Sequence, residues 1–300
     1  MASVIIPAKN AVRWIPEQLA ALDAQVDAPP FEVVIGDNGS MDGTHEVALA
    51  GVHPYEVRVV DASGPASASH ARNVAAREAR GAILLFCDAD DLVGPGWVRA
   101  LTGAVGTEEG VLATGALHHE RFNAPDVLAA YRIGSDPEVD ELAPEVHVDT
   151  APGGFAGHLP TVAGGNCAIH RETYLRLGGM DAAYPGGAEE TDFAWRAQAA
   201  GIRVASVPQA VVHYRLKSDP KALFRQQRIQ QRGRIYLWTR HRDTAMRGPS
   251  LKASAVEVLR GIIAYPGARR DSAARLAWAA RVGAHVGALE GMLRYRLLHR

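Results

Sequence analysis

Short hydrophobic runs alternate with helical patterns along the N-terminal third of the chain. Each run is nearly uninterrupted, which is typical of strands buried on both faces of a parallel sheet. The helical segments repeat apolar residues every three or four positions. Strand-like runs lie at 2–7, 31–36, 55–60 and 82–86, and helical patterns lie at 14–25, 44–50, 70–80 and 97–104. This alternation predicts an α/β domain whose ligands bind beyond the carboxyl ends of the strands.

The middle of the chain is less regular. Residues 111–122 predict a strand pair or one strand with a bend. Residues 134–160 predict a long mobile loop, of the kind that covers a site or is disordered. A Gly-rich turn, a short strand and a helix are predicted at 164–179. A Gly-led loop then enters a helix that ends at Gly201, and a last strand follows it.

The C-terminal region predicts Arg-rich helices with a break at 247–250. In the last helix, Gly283, Gly287 and Gly291 are four residues apart. Each interior Gly costs about 1 kcal/mol relative to Ala, so three in one line predict a close helix–helix contact. We favour a contact in aqueous solution over a membrane dimer motif. The same helix carries an apolar stripe at Trp278, Val282, Val286, Leu289, Leu293 and Leu297.

A chain of 300 residues accommodates one α/β domain and an appendage. We expect a domain over 1–215 with two halves, at about 1–115 and at about 116–215. A basic helical region would occupy 216–300. The expected fold class is α/β, with a mostly parallel sheet flanked by helices.

The sequence contains neither a recognisable targeting segment nor a membrane-spanning one. Pro7 interrupts the N-terminal apolar run, which is too short for a signal peptide. No uncharged apolar stretch reaches about 18 residues. Cys87 and Cys167 lack metal-ligand spacing, so we expect reduced, buried thiols rather than a disulfide. These features favour a cytoplasmic protein.

The net charge of −1 conceals an asymmetry. Residues 215–300 contain 19 Lys and Arg against 5 Asp and Glu, whereas residues 1–214 contain 13 against 28. Two interpretations stay open: the basic region packs on the acidic body, or it contacts an anionic membrane surface or lipid-phosphate-linked acceptor. We expect no nucleic-acid partner, because stacking aromatics and a known binding motif are missing. A homodimer through the C-terminal helices also stays open.

Three carboxylates follow the strand at 82–86 within four residues: Asp88, Asp90 and Asp91. Like charges this close raise one another's pKa, and a divalent cation would remove the repulsion. Carboxylate oxygens suit Mg²⁺ or Mn²⁺. The alternative is a solvated turn that caps the next helix. Asp37 follows another strand, so it falls at the same predicted edge of the sheet.

Further polar residues stand at helix starts and strand ends. Arg72 would pair with a phosphate or form a salt bridge on a helix surface. Glu189, Glu190 and Asp192 open a helix, where the dipole alone favours acidic residues. His213 ends a strand, and a single His is more often structural than a ligand. Each signal is weak alone, and their order along the chain favours a functional site.

The motifs together resemble inverting family-2 glycosyltransferases of the GT-A fold. The resemblance covers roughly residues 2–240. It implies a nucleotide-binding sheet, a donor half at about 1–115 and an acceptor half at about 116–215. It implies a nucleotide-sugar donor carrying UDP or another nucleoside diphosphate, a divalent metal, and inversion at the anomeric carbon. The segments that carry it are SVIIPAKN, VVIGDNGSMDGT, ARNVAAREARGAILLFCDADD, GGNCAIHRE with LGGMD, and AEETDFAWR.

The resemblance also implies roles for individual residues. Asp37 corresponds to the carboxylate that recognises the base, and Arg72 to an arginine near the nucleotide. Asp88 and Asp90 match the Asp-x-Asp motif, with Asp88 toward the ribose and Asp90 toward the metal. His213 resembles a histidine that binds metal and diphosphate in some relatives. The implied donor-site residues are Pro7, Asn10, Asp37, Arg72, Asp88 and Asp90.

Glu190 corresponds to the catalytic base that accepts the proton of the acceptor hydroxyl. The family usually has Asp at this position, so the longer Glu would place the hydroxyl further away. Glu189 and Asp192 are therefore alternative bases. The acceptor would be a cell-wall or capsule glycan, a lipid-linked sugar or a small molecule.

Two other functions were weighed. A nucleotidyltransferase is disfavoured because no Gly-rich phosphate loop follows the first strand. An inactive nucleotide-binding protein or scaffold is disfavoured because Asp88, Asp90 and Glu190 are all present.

Overall fold

A mixed β-sheet lies at the centre of the protein in a computed structural model that describes residues 1–106, 110–143, 145–151 and 153–296. The strands are β1 Ala2–Ala8, β2 Phe31–Asp37, β3 Val57–Asp61, β4 Ile83–Cys87, β5 Leu92–Val93, β6 Val111–His118, β7 Asp149–Thr150, β8 Asn166–His170 and β9 Arg203–His213. The helices are α1 Ile15–Asp23, α2 Thr44–Leu49, α3 Ala68–Glu78, α4 Trp97–Val105, α5 Pro125–Tyr131, α6 Arg171–Arg176, α7 Glu189–Ala199, α8 Pro220–Arg240, α9 Leu251–Ala268 and α10 Ser272–Gly291.

The strand order is β3-β2-β1-β4-β8-β6-β9-β5, with β7 paired to β9. Strands β1 to β4 are parallel, which confirms the predicted α/β class, and β8 is antiparallel to both its neighbours. Apolar residues of the strands pack on both faces of the sheet. Because β1, β2 and β4 run in one direction, Ala8, Asp37 and Cys87 end at the same edge of the sheet.

The irregular middle differs from the sequence prediction. Residues 111–118 form one strand with a register shift between Gly115 and Ala116, so the bend was the correct alternative. Helix α5 and the two-residue strands β5 and β7 were not predicted, because elements this short leave no periodicity. The predicted loop at 134–160 contains β7 and a 3₁₀ turn at Phe155–Gly157, and it includes positions 144 and 152, outside the described residues. Both cysteines are buried and free, as expected.

The glycine line of α10 packs against α8, which confirms the predicted close contact. A β-carbon at Gly283 would lie 2.5 Å from the carbonyl oxygen of Phe224, and one at Gly287 would lie 2.1 Å from that of Arg228. Only residues without a side chain allow the two backbones to approach this closely. Helix α9 packs on α10 in turn. Leu297 of the predicted apolar stripe lies outside the described residues. No helix in the described ranges is long and apolar enough to cross a membrane.

Candidate active site

A cavity of about 750 Å³ opens at the carboxyl ends of β1 and β4. It brings together six of the eight site residues that the sequence predicted: Pro7, Asn10, Arg72, Asp88, Asp90 and Glu190. The described lining does not include Asp37 or His213. These six residues come from four separate segments of the chain, and the fold brings them to one cavity.

Arg72 is the central cation of the cavity. It lies on the buried face of α3, and its guanidinium donates to Oδ1 of Asp88 at 2.5 Å. Burial lowers the pKa of Arg72, but the charges of Asp88 and Glu189 outweigh it and raise that pKa. Arg72 thus stays charged, next to the carboxylate that the resemblance assigns to the ribose.

Gln18 of α1 holds the acidic turn after β4, residues 88–91, through two hydrogen bonds. The Gln18 amide donates to the carbonyl of Asp88 at 3.0 Å, and its oxygen accepts from the Val93 amide at 3.1 Å. Gln18 is fully buried, so these hydrogen bonds are shielded from water. The backbone that carries the three carboxylates is therefore fixed before any ligand binds.

Asp91 lines the cavity but is almost fully buried. Its side chain is 3% exposed and accepts a hydrogen bond from the Arg215 amide at 2.9 Å. Burial and the charges of Asp88 and Asp90 raise the pKa of Asp91 to about 8. A protonated Asp91 removes one charge from the cluster, so two carboxylates remain to attract a cation.

Asp90 is the most accessible carboxylate of the turn. Its side chain is 40% exposed, against 28% for Asp88. Lys217, beyond the end of β9, lies with Nζ 3.2 Å from Oδ2 of Asp90. The segment that carries Lys217 is held by Arg215, which packs over the rings of Trp14 and Phe122 and pairs with Glu17.

Two glutamates at the start of α7 form the opposite wall. A β-carbon at Gly164 would lie 3.3 Å from Cβ of Glu190, and one at Gly165 would lie 2.5 Å from Oδ2 of Asp88. Adjacent glycines thus bring the acidic turn and α7 to the same floor of the cavity. Burial and the charge of Glu189 raise the pKa of Glu190 to about 7. A carboxyl group that titrates near neutrality suits a general base.

Asp192 is held by hydrogen bonds to three neighbouring side chains, which argues against it as the general base. Its carboxylate bonds to Tyr184 at 3.1 Å, Arg196 at 2.7 Å and His241 at 2.9 Å. Burial raises the pKa of Asp192, but these hydrogen bonds outweigh it and lower that pKa. Asp192 is not among the described residues that line the cavity. Of the three acids that open α7, Glu189 and Glu190 face the cavity.

The ends of β1 and β2 are tied together beside the cavity. The Asn10 amide donates to Ser40, and the Ser40 amide donates to Oδ1 of Asp37 at 2.8 Å. Lys9 reaches the carbonyl of Asn38 with its ammonium at 3.1 Å. Asp37 therefore orders the loop that follows β2, beside the cavity. Its contact with the base of a nucleotide stays a prediction.

His213 lies at the end of β9, where it packs against Phe122 and His118. Burial, with the charges of Arg121 and His118, lowers the pKa of His213 to about 4. Its Nδ1 is buried without a hydrogen-bond partner among the described atoms. A neutral imidazole is the form that binds metals, and the metal-ligand role of His213 stays a prediction.

The side chains would suit a metal only if a ligand such as a diphosphate completed its coordination shell. Within the described residues, no group of three or more His, Cys, Asp or Glu side chains could hold a metal ion alone. Mg²⁺ and similar ions use one or two carboxylates and complete their shell with water and phosphate oxygens. Asp90, half-exposed in the cavity and close to Asp88, supplies such a carboxylate.

Sequence reasoning missed three residues that shape the site: Gln18, Lys217 and Gln230. Gln18 was one polar position in an apolar helix. Lys217 was one of many cations in the basic region. Gln230 of α8 lines the cavity, so the C-terminal helices take part in the site. The only available signal was the polar Gln18 on a face that the helical period predicts to be buried.

Comparison with known proteins decides the family. The model of glycosyl transferase family 2 matches residues 3–172, more than half of the chain. The chain belongs to glycosyltransferase family 2. A second model, described as the N-terminal domain of galactosyltransferase, matches residues 144–217.

Curated relatives of this family-2 glycosyltransferase are longer proteins. An uncharacterised glycosyltransferase of Bacillus subtilis is 33% identical over 40% of the chain and 33% of its own length. A validoxylamine A glucosyltransferase of Streptomyces hygroscopicus is 29% identical over 67% of the chain and 48% of its own length. The chain thus spans a third to a half of these relatives.

Solved structures share the fold. A mannosyltransferase of Pyrobaculum calidifontis, in complex with GDP-Man and Mn²⁺, has a TM-score of 0.62 at 20% identity, over 98% of this chain and 87% of its own. A Staphylococcus aureus protein named TarS has a TM-score of 0.52 at 19% identity, over 77% of this chain and 39% of its own. These likenesses confirm the predicted GT-A fold.

Proposed function

We propose that this family-2 glycosyltransferase transfers a sugar from a nucleoside-diphosphate sugar to an acceptor hydroxyl, with inversion and with help from a divalent metal. One observation carries the proposal. The Gly164–Gly165 floor brings the Asp88–Asp90 turn and Glu190 to one cavity, with Arg72 against both walls. A donor site and a base on opposite walls suit direct displacement at a carbon held between them.

The cationic side chains would hold the diphosphate. Arg72 is buried and charged, and it has a second nitrogen facing Gly164. Asp90 would hold the metal together with diphosphate oxygens. When bound there, a divalent cation would supply Lewis-acid stabilisation of the charge that develops on the leaving diphosphate. Lys217 would then exchange its contact with Asp90 for a phosphate oxygen.

Glu190 would act as the general base. Its raised pKa means that the carboxylate form takes up a proton more readily than a solvent-exposed Glu would. The acceptor hydroxyl would donate its proton to Glu190 as its oxygen attacks the anomeric carbon from the side opposite the diphosphate. Glu189 supports this role, because its negative charge raises the pKa of its neighbour.

Calorimetric titration with UDP, GDP and dTDP, with and without Mn²⁺, tests the donor site. We expect one nucleotide to bind tightly with Mn²⁺, and we expect Asp90→Ala to abolish the metal-dependent part. Asp140→Ala is a matched control, because Asp140 is an exposed Asp outside the cavity. Absence of binding by all three nucleotides, in a protein shown to be folded, would overturn the proposal.

The stereochemistry needs a separate test. Once the nucleotide is known, the corresponding sugar donors are offered with simple glycoside acceptors, and the product's anomeric proton is followed by NMR. We expect the opposite anomeric configuration to that of the donor. A product with retained configuration would remove Glu190 from the role of base.

A further inference from the structure

The outer face of α9 exposes large apolar side chains. Ile263 is 81% exposed, and Leu259 and Ile262 are about as open, at 60% and 62%. Isolated exposed apolar residues are ordinary, but a contiguous group on one helix face marks an interaction site. Leu251 and Val256 extend the same exposed surface.

Helix α9 contacts the rest of the protein through its opposite face. Its buried residues are Ser254 and Gly261, and a β-carbon at Gly261 would lie 2.3 Å from a methyl group of Val282. The indole of Trp278 donates to the Gly261 carbonyl at 2.8 Å. At 100° per residue, Leu259 and Ile263 lie on the side of the helix opposite this contact line. The apolar face therefore points away from the protein core.

Cations border this apolar face. Lys252 stands at the start of α9, Arg260 at its flank, and Arg269 and Arg270 directly after its end. The single acidic residue of the helix, Glu257, is paired with Arg260 at 2.6 Å. An apolar face bordered by Lys and Arg is the pattern of a helix that lies in the interface of an anionic membrane.

A groove continues the cationic surface beside α9. It has a volume of about 690 Å³ and lies between α5, α9 and α10. Its floor consists mostly of alanines, and Arg132, Arg281 and His285 also line it. The described lining contains no Asp or Glu. A groove of this composition suits an anionic group with an apolar attachment, such as a phospholipid.

We propose that the α9 face, consisting of Lys252, Leu259, Arg260, Ile262, Ile263, Arg269 and Arg270, binds the surface of an anionic lipid bilayer. Helix α9 would lie in the plane of the interface, because no helix in the described part of the chain can span a membrane. The contact is independent of the proposed reaction, because α8 and α10 separate α9 from the cavity.

The charge pattern favours a bilayer over a second copy of the chain. In a twofold antiparallel contact between α9 faces, Lys252 of one copy would approach Arg269 and Arg270 of the other. Like charges at such a contact repel, whereas an anionic surface complements Lys252, Arg269 and Arg270.

The arginines of α8 lack the exposed apolar neighbours that α9 has. Arg228 pairs with Glu290 of α10 at 2.7 Å, Arg232 is half-buried, and Arg225 is exposed. Helix α8 packs against α10, and none of the large exposed apolar side chains in the described part of the chain belongs to α8. We therefore assign the membrane contact to α9 with the turn that follows it.

Vesicle co-sedimentation with the full chain tests the proposal. The probes are vesicles of phosphatidylcholine alone and of phosphatidylcholine mixed with phosphatidylglycerol. We expect binding to the anionic vesicles, weakened at high ionic strength. Leu259→Ser with Ile263→Ser should reduce the partition coefficient roughly tenfold or more. Arg269→Gln with Arg270→Gln should reduce it about fivefold per arginine.

Matched controls come from exposed residues elsewhere. Met41→Ser with Val52→Ser removes two exposed apolar side chains, and Arg77→Gln with Arg80→Gln removes two exposed cations near the end of α3. Both controls should bind vesicles as the unchanged protein does. Circular dichroism and thermal unfolding would establish that each variant is folded, whether or not the chain proves to be a transferase.

Three results would overturn the proposal. The first is equal binding to neutral and anionic vesicles. The second is equal binding by the Leu259→Ser, Ile263→Ser variant and the unchanged protein. The third is a dimer in sedimentation equilibrium that the same variant abolishes, without vesicle binding. That result would assign the α9 face to a second copy of the chain.

Discussion

The ammonium of Lys217 lies 3.2 Å from Oδ2 of Asp90, although the two residues are 127 positions apart in the chain. Strand β5 follows Asp90 and pairs with the end of β9, and this pairing brings Lys217 back to the acidic turn. Each side chain is about two-fifths exposed, so the pair contributes less than about 1 kcal/mol. A contact this weak breaks readily when a stronger partner binds Asp90.

Lys217→Met should separate the two roles proposed for this lysine, which are competition with a metal for Asp90 and contact with the phosphates of the nucleotide. Without competition from the ammonium, Mn²⁺ alone should bind about two- to fivefold more tightly, as a pair worth under 1 kcal/mol implies. Binding of the nucleoside diphosphate should weaken, because its phosphates lose a cation. Manganese EPR and calorimetry measure the two effects. Lys221→Met is the control, and unchanged values for both ligands would contradict the exchange.

Glu190→Gln should lower kcat by roughly 10²- to 10⁴-fold, because Gln cannot accept the proton. The affinity for the nucleoside diphosphate should change little, since the donor side chains are on the opposite wall. Steady-state kinetics and nucleotide titration measure the two quantities. Glu189→Gln is the matched comparison and should retain most of the activity. If Glu189→Gln shows the larger loss instead, Glu189 is the base.

The pH dependence should report the same carboxyl group. The base acts when deprotonated, so kcat/KM should rise with pH up to the pKa of Glu190, about 7, and level off above it. In Glu189→Gln, the neighbouring negative charge is gone and this limb should move to lower pH. Rates over a pH series would measure both profiles. A profile unchanged in Glu189→Gln would contradict the coupling of the two glutamates.

Asp192→Asn should destabilise the fold rather than remove a catalytic group. Arg196 and His241 would lose a buried anionic partner, which should cost about 3 kcal/mol in the free energy of unfolding. The pKa of Asp192 is lowered in the folded state, so its stabilisation is present above the unfolded-state pKa of about 4 and is lost as pH falls through the folded-state pKa. Urea unfolding at neutral and acidic pH measures this difference.

The control for Asp192→Asn is Glu138→Gln, an exposed carboxylate that should leave unfolding unchanged. The difference between Asp192→Asn and the unchanged protein should shrink in acid. A difference that is constant across pH would show that the stabilising charge is not at Asp192.

Gly287→Ala should loosen the C-terminal helices. The new β-carbon would lie 2.1 Å from the Arg228 carbonyl oxygen, and the necessary shift should cost about 1–3 kcal/mol. Gly267→Ala in α9 is the matched control, because no described atom lies within 4 Å of its β-carbon position. There, Ala should gain up to about 1 kcal/mol from helix propensity. Thermal unfolding of both variants measures the contrast, and equal effects would contradict the close contact.

The sequence by itself determined the features that depend on local hydrophobic periodicity or on the type of a single residue. Uninterrupted hydrophobic runs predicted β1, β2 and β4 because parallel strands are buried on both faces. The position of Asp88 and Asp90 after such a run predicted the edge of the sheet at which they lie. The line through Gly283, Gly287 and Gly291 predicted close helix packing, since interior glycines are costly unless a neighbour needs the space.

Only the tertiary structure decided which of these acidic residues face a ligand. Asp91 and Asp192 resemble their neighbours in sequence, but the amide of Arg215 and the side chains of Arg196 and His241 hold them in the scaffold. Lys217 and Gln18 reach the acidic turn from distant segments, and the apolar face of α9 differs from a core face only in what covers it. Contacts between distant residues depend on strand order and helix packing, and local periodicity predicts neither of them.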